Sequence, residues 1–163
     1  MSLQEYSLYL LFSFKLLVYL YSMTRPVNYQ LFVYGSLRRG FHSTAYEYIS
    51  RFFTFVSDAK VKGKLYDMGE FPAAIPTSDN TFIIGELYTI NQENEFSWAI
   101  GQLDDYEGLN VEADEVQLYR RDLTEVYFND QLTHAWIYWY NGDVSGRPLI
   151  ESGDLFQYLQ QKK

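Results

Sequence analysis

The sequence contains no cysteine. This absence excludes disulfide bonds, thiolate metal sites and a cysteine nucleophile, and it is typical of a protein in a reducing compartment. Histidine is almost as scarce, because His42 and His134 are the only two, and they are too far apart in sequence to show metal-ligand spacing. We therefore predict a cytoplasmic protein without a metal site.

Positive charge is also in short supply. The chain has 13 Lys and Arg residues against 21 Asp and Glu residues, which gives a formal net charge of −8. Nucleic-acid binding needs a concentrated basic face, and the nearest basic cluster, Arg38 and Arg39, is too small to supply one. We therefore expect no nucleic-acid partner.

The apolar run near the start of the chain is shorter than an ordinary membrane span. Residues 8–21 are apolar apart from Ser13 and Lys15, whereas a span needs roughly 20 apolar residues. A secretory signal would carry positive charge before the apolar stretch, but Glu5 stands there. The composition of this run therefore favours neither a spanning helix nor a signal peptide.

Two interpretations of residues 1–22 remain open. They are an upstream extension outside the native protein, with Met23 as the biological start, or an amphipathic helix that docks on a partner or membrane surface. We favour the extension, and we expect one domain over residues 23–163 that does not associate with membranes.

Aromatic residues are abundant, at 19% of the 163 residues. Aromatic side chains favour pleated, half-buried surfaces, so we expect a fold rich in strands. Many strands with few helices indicate a closed or strongly bent sheet decorated by helices. The pattern predicts strands near 29–34, 53–66 (broken at Gly63), 81–90, 117–128 and 133–140, and an extended edge or loop at 71–76. It predicts helices near 44–49 with Ser43 or Thr44 as the cap, after a cap at Asn91, and near 153–160.

A first candidate site follows the first predicted strand. That strand ends at Gly35, which allows a sharp turn and a close approach to a ligand, and successive N–H groups in such a turn can hold a carboxylate. The spacing to Gly40 superficially resembles a phosphate-binding loop, but Phe41 and His42 stand where that motif needs Lys and Ser or Thr. On these residues alone, an ordinary strand-to-helix turn is the commoner outcome.

A second candidate site is an acidic cluster at the end of the helix that follows Asn91. Asp104, Asp105 and Glu107 lie just before Gly108, a natural stop for a helix. The negative end of the helix dipole and the repulsion between carboxylates should both raise a carboxylate's proton affinity, which suits a general base. On these residues alone, a solvated helix end is the commoner outcome.

Together and in order, these segments resemble the γ-glutamylcyclotransferase-like superfamily, including its γ-glutamylamine cyclotransferase and AIG2-like branches. The resemblance covers about residues 31–159. It is carried by the following segments: Val33–Leu37 with Arg39–Gly40, Val61–Tyr66, Phe71–Ala73, Gly85–Tyr88, Leu103–Asp104 with Glu107–Gly108, Tyr119–Arg120 and Ala135–Tyr138.

The resemblance implies an α+β fold in which a small mixed, β-barrel-like sheet carries a few flanking helices and a cavity lies beside the first loop. It implies that Glu107 is the general acid/base and that Tyr119 and Tyr138 are pocket walls or hydroxyl donors. The loop whose backbone would bind the γ-glutamyl group comprises Tyr34, Gly35, Ser36 and Leu37.

The implied function is an enzyme, of acyltransferase or lyase type, that releases 5-oxoproline from a small-molecule γ-glutamyl amine or peptide. This chemistry requires no cofactor, because the α-amine of the substrate itself attacks the γ-carbonyl. The alternative is a non-catalytic small-molecule-binding or regulatory domain of the same fold. A blocked pocket, or a Glu107 held in a structural salt bridge, would favour that alternative. The sequence predicts neither the leaving amine nor the oligomeric state.

Overall fold

The computed structural model describes residue 7 and residues 9–17, 27–112 and 114–162. Residue 7 and residues 9–17 are helical and exposed. The rest of the predicted 1–22 extension, and the predicted start at Met23, lie outside the described residues. Every helix in the described part of the chain is too short or too polar to cross a membrane.

The described chain from Gln30 onward consists of consecutive strands separated in places by short helices, which confirms the predicted α+β class. Two 3-10 turns, at Arg39–Phe41 and Glu93–Glu95, precede helices. In chain order the elements are β1 (Gln30–Val33), α1 (Thr44–Phe52), β2 (Phe53–Asp67), β3 (Pro72–Pro76), β4 (Phe82–Ile90), α2 (Phe96–Tyr106), β5 (Tyr119–Phe128), β6 (Gln131–Tyr140) and α3 (Leu155–Gln161).

The strands form one sheet that closes on itself. Their order is β3-β2-β4-β1-β6-β5, and β5 returns to β2 through the pairing of Lys60 with Tyr127. The strands β2, β4, β1, β6 and β5 therefore make a closed barrel, and β3 stays outside as an edge strand paired only with β2 among the described strands. Pro72 and Pro76 at the two ends of β3 fit that edge position, since proline cannot donate to a ladder.

The short strand β1 decides where the site lies. It runs antiparallel to β4 and parallel to β6, where Leu31 pairs with Trp136. Because β6 is antiparallel to β5, the carboxyl ends of β1 and β6 and the amino end of β5 meet at one end of the barrel. This arrangement brings Tyr34, Tyr138 and Tyr119 to the same end.

Two apolar clusters hold the barrel together. One fills its interior and includes Phe32, Leu87 and Ile137. The other lies between the barrel and the helices α1 and α2 and includes Leu31 and Tyr88. Because β1 and β4 supply residues to both clusters, each of these two strands is buried on both faces. Their sequences therefore read as nearly continuous apolar runs rather than as an alternation of apolar and polar residues.

Two local predictions were wrong. Strand β2 does not break at Gly63: a Cβ there would lie 2.6 Å from Cδ1 of Ile83, so the glycine marks close packing of strands. Asn91 does not cap α2, which is entered through the 3-10 turn. Its side chain instead accepts a hydrogen bond from the Thr54 hydroxyl at 2.6 Å and donates one to the Arg51 carbonyl at 3.1 Å.

Candidate active site

An open pocket of about 230 Å³ lies at the end of the barrel where β1 and β6 finish. The loop after β1 forms one side of it, and the end of α2 and the start of β5 form the other. All seven site residues predicted from the sequence line it. The lining consists of Phe32, Val33, Tyr34, Gly35, Ser36, Leu37, Phe71, Pro72, Tyr106, Glu107, Leu118, Tyr119 and Tyr138.

The loop after β1 is fixed from several directions. The buried Tyr34 hydroxyl donates to the backbone carbonyl of Tyr138 on β6 at 2.7 Å. The Ser43 hydroxyl, which also caps α1, donates to the Ser36 carbonyl. The Leu37 side chain is buried in the cluster beneath the helices. The loop is therefore a rigid part of the fold.

The backbone amides of this loop are free to bind a ligand. Within the described chain, the amides of Gly35, Ser36 and Leu37 donate to no protein group, whereas the next amide, that of Arg38, closes the turn by donating to the Gly35 carbonyl at 3.0 Å. Consecutive unpaired N–H groups that line a pocket are suited to a carboxylate.

Gly35 is needed for space rather than for a sharp turn. Its φ is not in the left-handed region, so the backbone there is open to other residues. A Cβ at this position would instead lie 3.3 Å from Cγ of Pro72, across the pocket wall. The turn that begins at Gly35 therefore does not depend on glycine for its backbone conformation, and the predicted close approach to a ligand stays a prediction.

The end of α2 places Glu107 at the pocket. Gly108 adopts φ +69°, and its amide donates to the Asp105 carbonyl at 3.2 Å. The next amide, that of Leu109, donates to the Asp104 carbonyl at 2.9 Å. These two bonds form a Schellman motif, which ends a helix sharply. The predicted stop at Gly108 is confirmed.

Burial raises the pKa of Glu107 from 4.5 to about 7. The half-buried carboxyl loses part of its hydration, which disfavours the charged form. The direction agrees with the prediction from the sequence, but the predicted cause was wrong: desolvation accounts for the rise, rather than the helix dipole or the neighbouring acids. A carboxyl with this pKa exists in both protonation states near neutral pH.

The two neighbouring acids point to other partners. Asp104 accepts a hydrogen bond from the Tyr138 hydroxyl at 2.8 Å and lies 2.9 Å from Nε of Arg121. Asp105 is exposed and accepts from the side-chain amide of Asn110. Asp104 therefore ties the end of α2 to the wall of the barrel, a role that the sequence did not reveal.

Three of the four tyrosines that line the pocket, Tyr34, Tyr119 and Tyr138, form its walls. The Tyr119 hydroxyl donates to the Pro72 carbonyl at 3.3 Å, and the hydroxyls of Tyr34 and Tyr138 donate to the protein as described above. Burial raises the pKa of all three, and the nearby charge of Glu107 adds to the rise. They are neutral at physiological pH, and their hydroxyl protons are already engaged.

The outer edge of the pocket is apolar. Phe71, Tyr106 and Leu118 line it and remain 36%, 60% and 49% exposed. Sequence reasoning did not assign them to the site: Phe71 was noted only as part of a family-like segment, and Tyr106 and Leu118 carry no signal beyond their place beside Glu107 and Tyr119. Among the described lining residues, Glu107 is the only acid and none is Lys, Arg or His. No three His, Asp or Glu side chains in the described chain are close enough together to hold a metal ion.

A small closed barrel, with unpaired loop amides and a half-buried carboxyl in one pocket, is the arrangement expected of a γ-glutamylcyclotransferase-like domain. The family model described as "Gamma-glutamyl cyclotransferase, AIG2-like" matches residues 31–157, and the chain belongs to this family.

Relatives of known sequence or structure agree with this assignment. The chain is 31% identical over 126 residues to the "Gamma-glutamylcyclotransferase family protein YtfP" of Escherichia coli (strain K12), covering 77% of this chain and 94% of that protein. The crystal structure of YkqA from Bacillus subtilis matches with TM-score 0.60 and 26% identity over 84% of this chain, but over 44% of that longer protein. A mouse aig2-like protein shares the fold, with TM-score 0.57 and 20% identity over 76% of this chain and 86% of its own.

Proposed function

We propose that this protein releases 5-oxoproline from a small-molecule γ-glutamyl amine or peptide. One observation carries the proposal: the carboxyl of Glu107, with a pKa raised to about 7, shares an open pocket with the unpaired amides of the loop after β1. The first feature is suited to moving protons at neutral pH, and the second to holding a carboxylate.

Binding is the first step. The α-carboxylate of the γ-glutamyl group accepts hydrogen bonds from the amides of Gly35, Ser36 and Leu37. Since the pocket lining contains no Lys, Arg or His among the described residues, neutral donors have to hold this charge. The apolar walls confine the glutamyl chain to a folded conformer, in which its α-nitrogen lies next to its γ-carbonyl carbon.

Glu107 then moves protons away from the α-nitrogen in two steps. Its carboxylate first takes a proton from the α-ammonium and releases it to solvent, and the resulting amine attacks the γ-carbonyl carbon to form the new ring C–N bond. The attacking nitrogen now carries two hydrogens and a positive charge, and the Glu107 carboxylate takes one of these protons. As the tetrahedral intermediate collapses, the original amide C–N bond breaks and the leaving nitrogen receives this second proton from the Glu107 carboxyl. The products are 5-oxoproline, a free amine and the proton released to solvent, and Glu107 returns to its carboxylate state.

The structure supports catalysis over the alternative of a non-catalytic binding domain. That alternative would be favoured by a blocked pocket or by a Glu107 locked in a structural salt bridge. The pocket is open, and within the described chain no Lys, Arg or His is paired with Glu107.

The test is direct. The purified protein is incubated with γ-glutamyl amines and γ-glutamyl peptides, and 5-oxoproline is measured beside a Glu107→Gln control. We expect at least one compound to be converted by the wild type with strongly reduced conversion by the variant. If no compound yields 5-oxoproline while some of them bind the pocket, the non-catalytic alternative is correct.

A further inference from the structure

Glu86 is the one charged residue that is fully buried in the described chain, with 4% of its surface exposed. It lies on β4, paired with Val33, the last residue of β1. A buried carboxylate is costly unless it is well supplied with hydrogen-bond donors. The groups that donate hydrogen bonds to the Glu86 carboxylate therefore show which part of the fold Glu86 holds in place.

The donors to Glu86 come mainly from the segment that follows the pocket loop. The backbone N–H of Arg39 donates to Oε2 at 3.1 Å, and Nε of Arg39 lies 3.4 Å from Oε1. Nε of Arg38 is 4.0 Å from the same oxygen. The Tyr88 hydroxyl, next along the same face of β4, donates to Oε2 at 2.7 Å.

The two arginines are held on their far sides as well. The guanidinium of Arg39 lies 3.4 Å from the centre of the Phe55 ring and 3.4 Å from Oδ1 of Asp58. The guanidinium of Arg38 contacts Oδ1 of Asp154 at 2.8 Å, and Asp154 also caps α3. Glu86 is thus the buried centre of a network that joins the pocket loop to β2, β4 and α3.

We propose that Glu86 is a positioning residue, which fixes the loop of free amides at the pocket by holding the backbone of Arg39. This inference rests on the proposed function for its kinetic consequence. Glu86 does not line the pocket, so it acts on the substrate only through the loop. The Arg39 amide that Glu86 holds lies two residues after Leu37, the last of the three loop residues whose amides donate to no group in the described chain.

The first variant is Glu86→Gln. Glutamine keeps the side-chain size but replaces one carboxylate oxygen with an NH₂ group, which donates and does not accept. The donors around position 86 therefore lose an acceptor. We expect KM for a γ-glutamyl substrate to rise about tenfold or more, with a smaller change in kcat because Glu107 is untouched. Folding should survive, since Arg38 keeps Asp154 and the Arg39 side chain is 42% exposed.

The matched control is Asp58→Asn. Asp58 contacts the same Arg39 guanidinium and pairs with Glu86 across β2 and β4, but its side chain is 79% exposed and it does not line the pocket. We expect its KM and kcat to equal those of the wild type. An equal rise of KM in both variants would show that substrate binding depends on the ion pairs of the Arg39 guanidinium and not on the bond from Glu86 to the loop backbone. That result would overturn the proposal.

A second readout does not depend on turnover. The ¹⁵N order parameters of the Ser36 and Leu37 amides should fall in Glu86→Gln from the rigid range, about 0.85, toward the flexible range below about 0.6. A folded Glu86→Gln variant with unchanged KM or unchanged order parameters overturns the proposal. If the wild type converts no γ-glutamyl compound, the proposed function fails, and the order parameters still decide the role of Glu86.

A milder variant covers the case in which Glu86→Gln does not fold. Tyr88→Phe removes one hydroxyl from the Glu86 carboxylate and keeps the ring in the core. We expect KM to rise about threefold and the order parameters of the Ser36 and Leu37 amides to fall. A folded Tyr88→Phe variant with wild-type KM and wild-type loop order would then overturn the proposal.

Discussion

Gly35 and Pro72 face each other so closely that a Cβ on Gly35 would lie 3.3 Å from Cγ of Pro72. Gly35 belongs to the loop that carries the free amides, and Pro72 is the first residue of the edge strand β3. The Pro72 carbonyl accepts a hydrogen bond from the Tyr119 hydroxyl. The width of the pocket at this point is therefore set by the absence of one methyl group. Any side chain at position 35 has to displace the loop or the proline.

Gly35→Ala should impair substrate binding more than it impairs folding. We expect KM to rise about tenfold, the usual effect of one methyl group in a tight pocket. The free energy of unfolding should change by less than about 1 kcal/mol, because the lower conformational entropy of the unfolded alanine variant offsets the contact with Pro72. Steady-state kinetics and urea unfolding check this. Gly101→Ala is the control, because no heavy atom lies within 4 Å of its added Cβ; an equal rise of KM there would contradict the explanation.

Glu107→Gln should reduce kcat at least about a hundredfold, because the amide cannot accept a proton at neutral pH. The affinity for 5-oxoproline, measured by calorimetry, should change little, because the loop amides supply most of the binding. Asp105→Asn is the matched control, since Asp105 is exposed and does not line the pocket. Near-normal turnover in a folded Glu107→Gln variant would refute the assigned role.

The stability of the wild type relative to Glu107→Gln should depend on pH. Between pH 4.5 and about 7 the folded state keeps a proton that the unfolded state has released. Stability is therefore lost as pH rises through this window, and the wild type should fall below the variant by up to about 3 kcal/mol above pH 7. Urea unfolding of both proteins at pH 4, 5.5 and 8 measures this, and a difference that does not vary with pH would contradict the raised pKa.

A chain that begins at Met23 should fold as well as the full chain. The elements that build the barrel and the pocket begin at Gln30, and the described part of the earlier helix, residues 9–17, is exposed. We expect the same cooperative transition in thermal unfolding and the same KM. A non-cooperative transition in the shorter chain would show that the first 22 residues contribute to the domain.

Features with a local sequence signal were predicted well. Runs of aromatic and β-branched residues mark the strands, and Gly108 ends α2 as expected because its φ of +69° favours glycine. Ser43 caps α1 by accepting the Tyr46 amide at 3.0 Å, as one of the two predicted candidates. The loop and Glu107 were found through the order of family-like segments, and the structure brings them to one pocket.

Features that depend on distant partners were not predicted. Glu86 sits in a strand where a polar residue would ordinarily face water, and its partner Arg39 lies 47 residues earlier. The cause of the raised pKa of Glu107 also depends on neighbours from other segments, because burial is a property of the assembled pocket. A closed or strongly bent sheet was predicted, but the register pair that closes it, Lys60 with Tyr127, was not, because no local pattern marks it.

The position of β1 between β4 and β6 has a consequence for how the protein is made. Leu31 pairs with Trp136, so β1, the first strand of the barrel to be synthesised, cannot pair with β6 until this last strand of the barrel has been synthesised. Contacts between residues so distant in sequence slow folding. Until β6 is available, the apolar strand β1 remains unpaired on one side. The pocket wall formed by Tyr138 arrives at the same moment. The pocket is therefore complete only after β6 has been synthesised, and a chain that stops before β6 leaves β1 unpaired on one side and prone to aggregate.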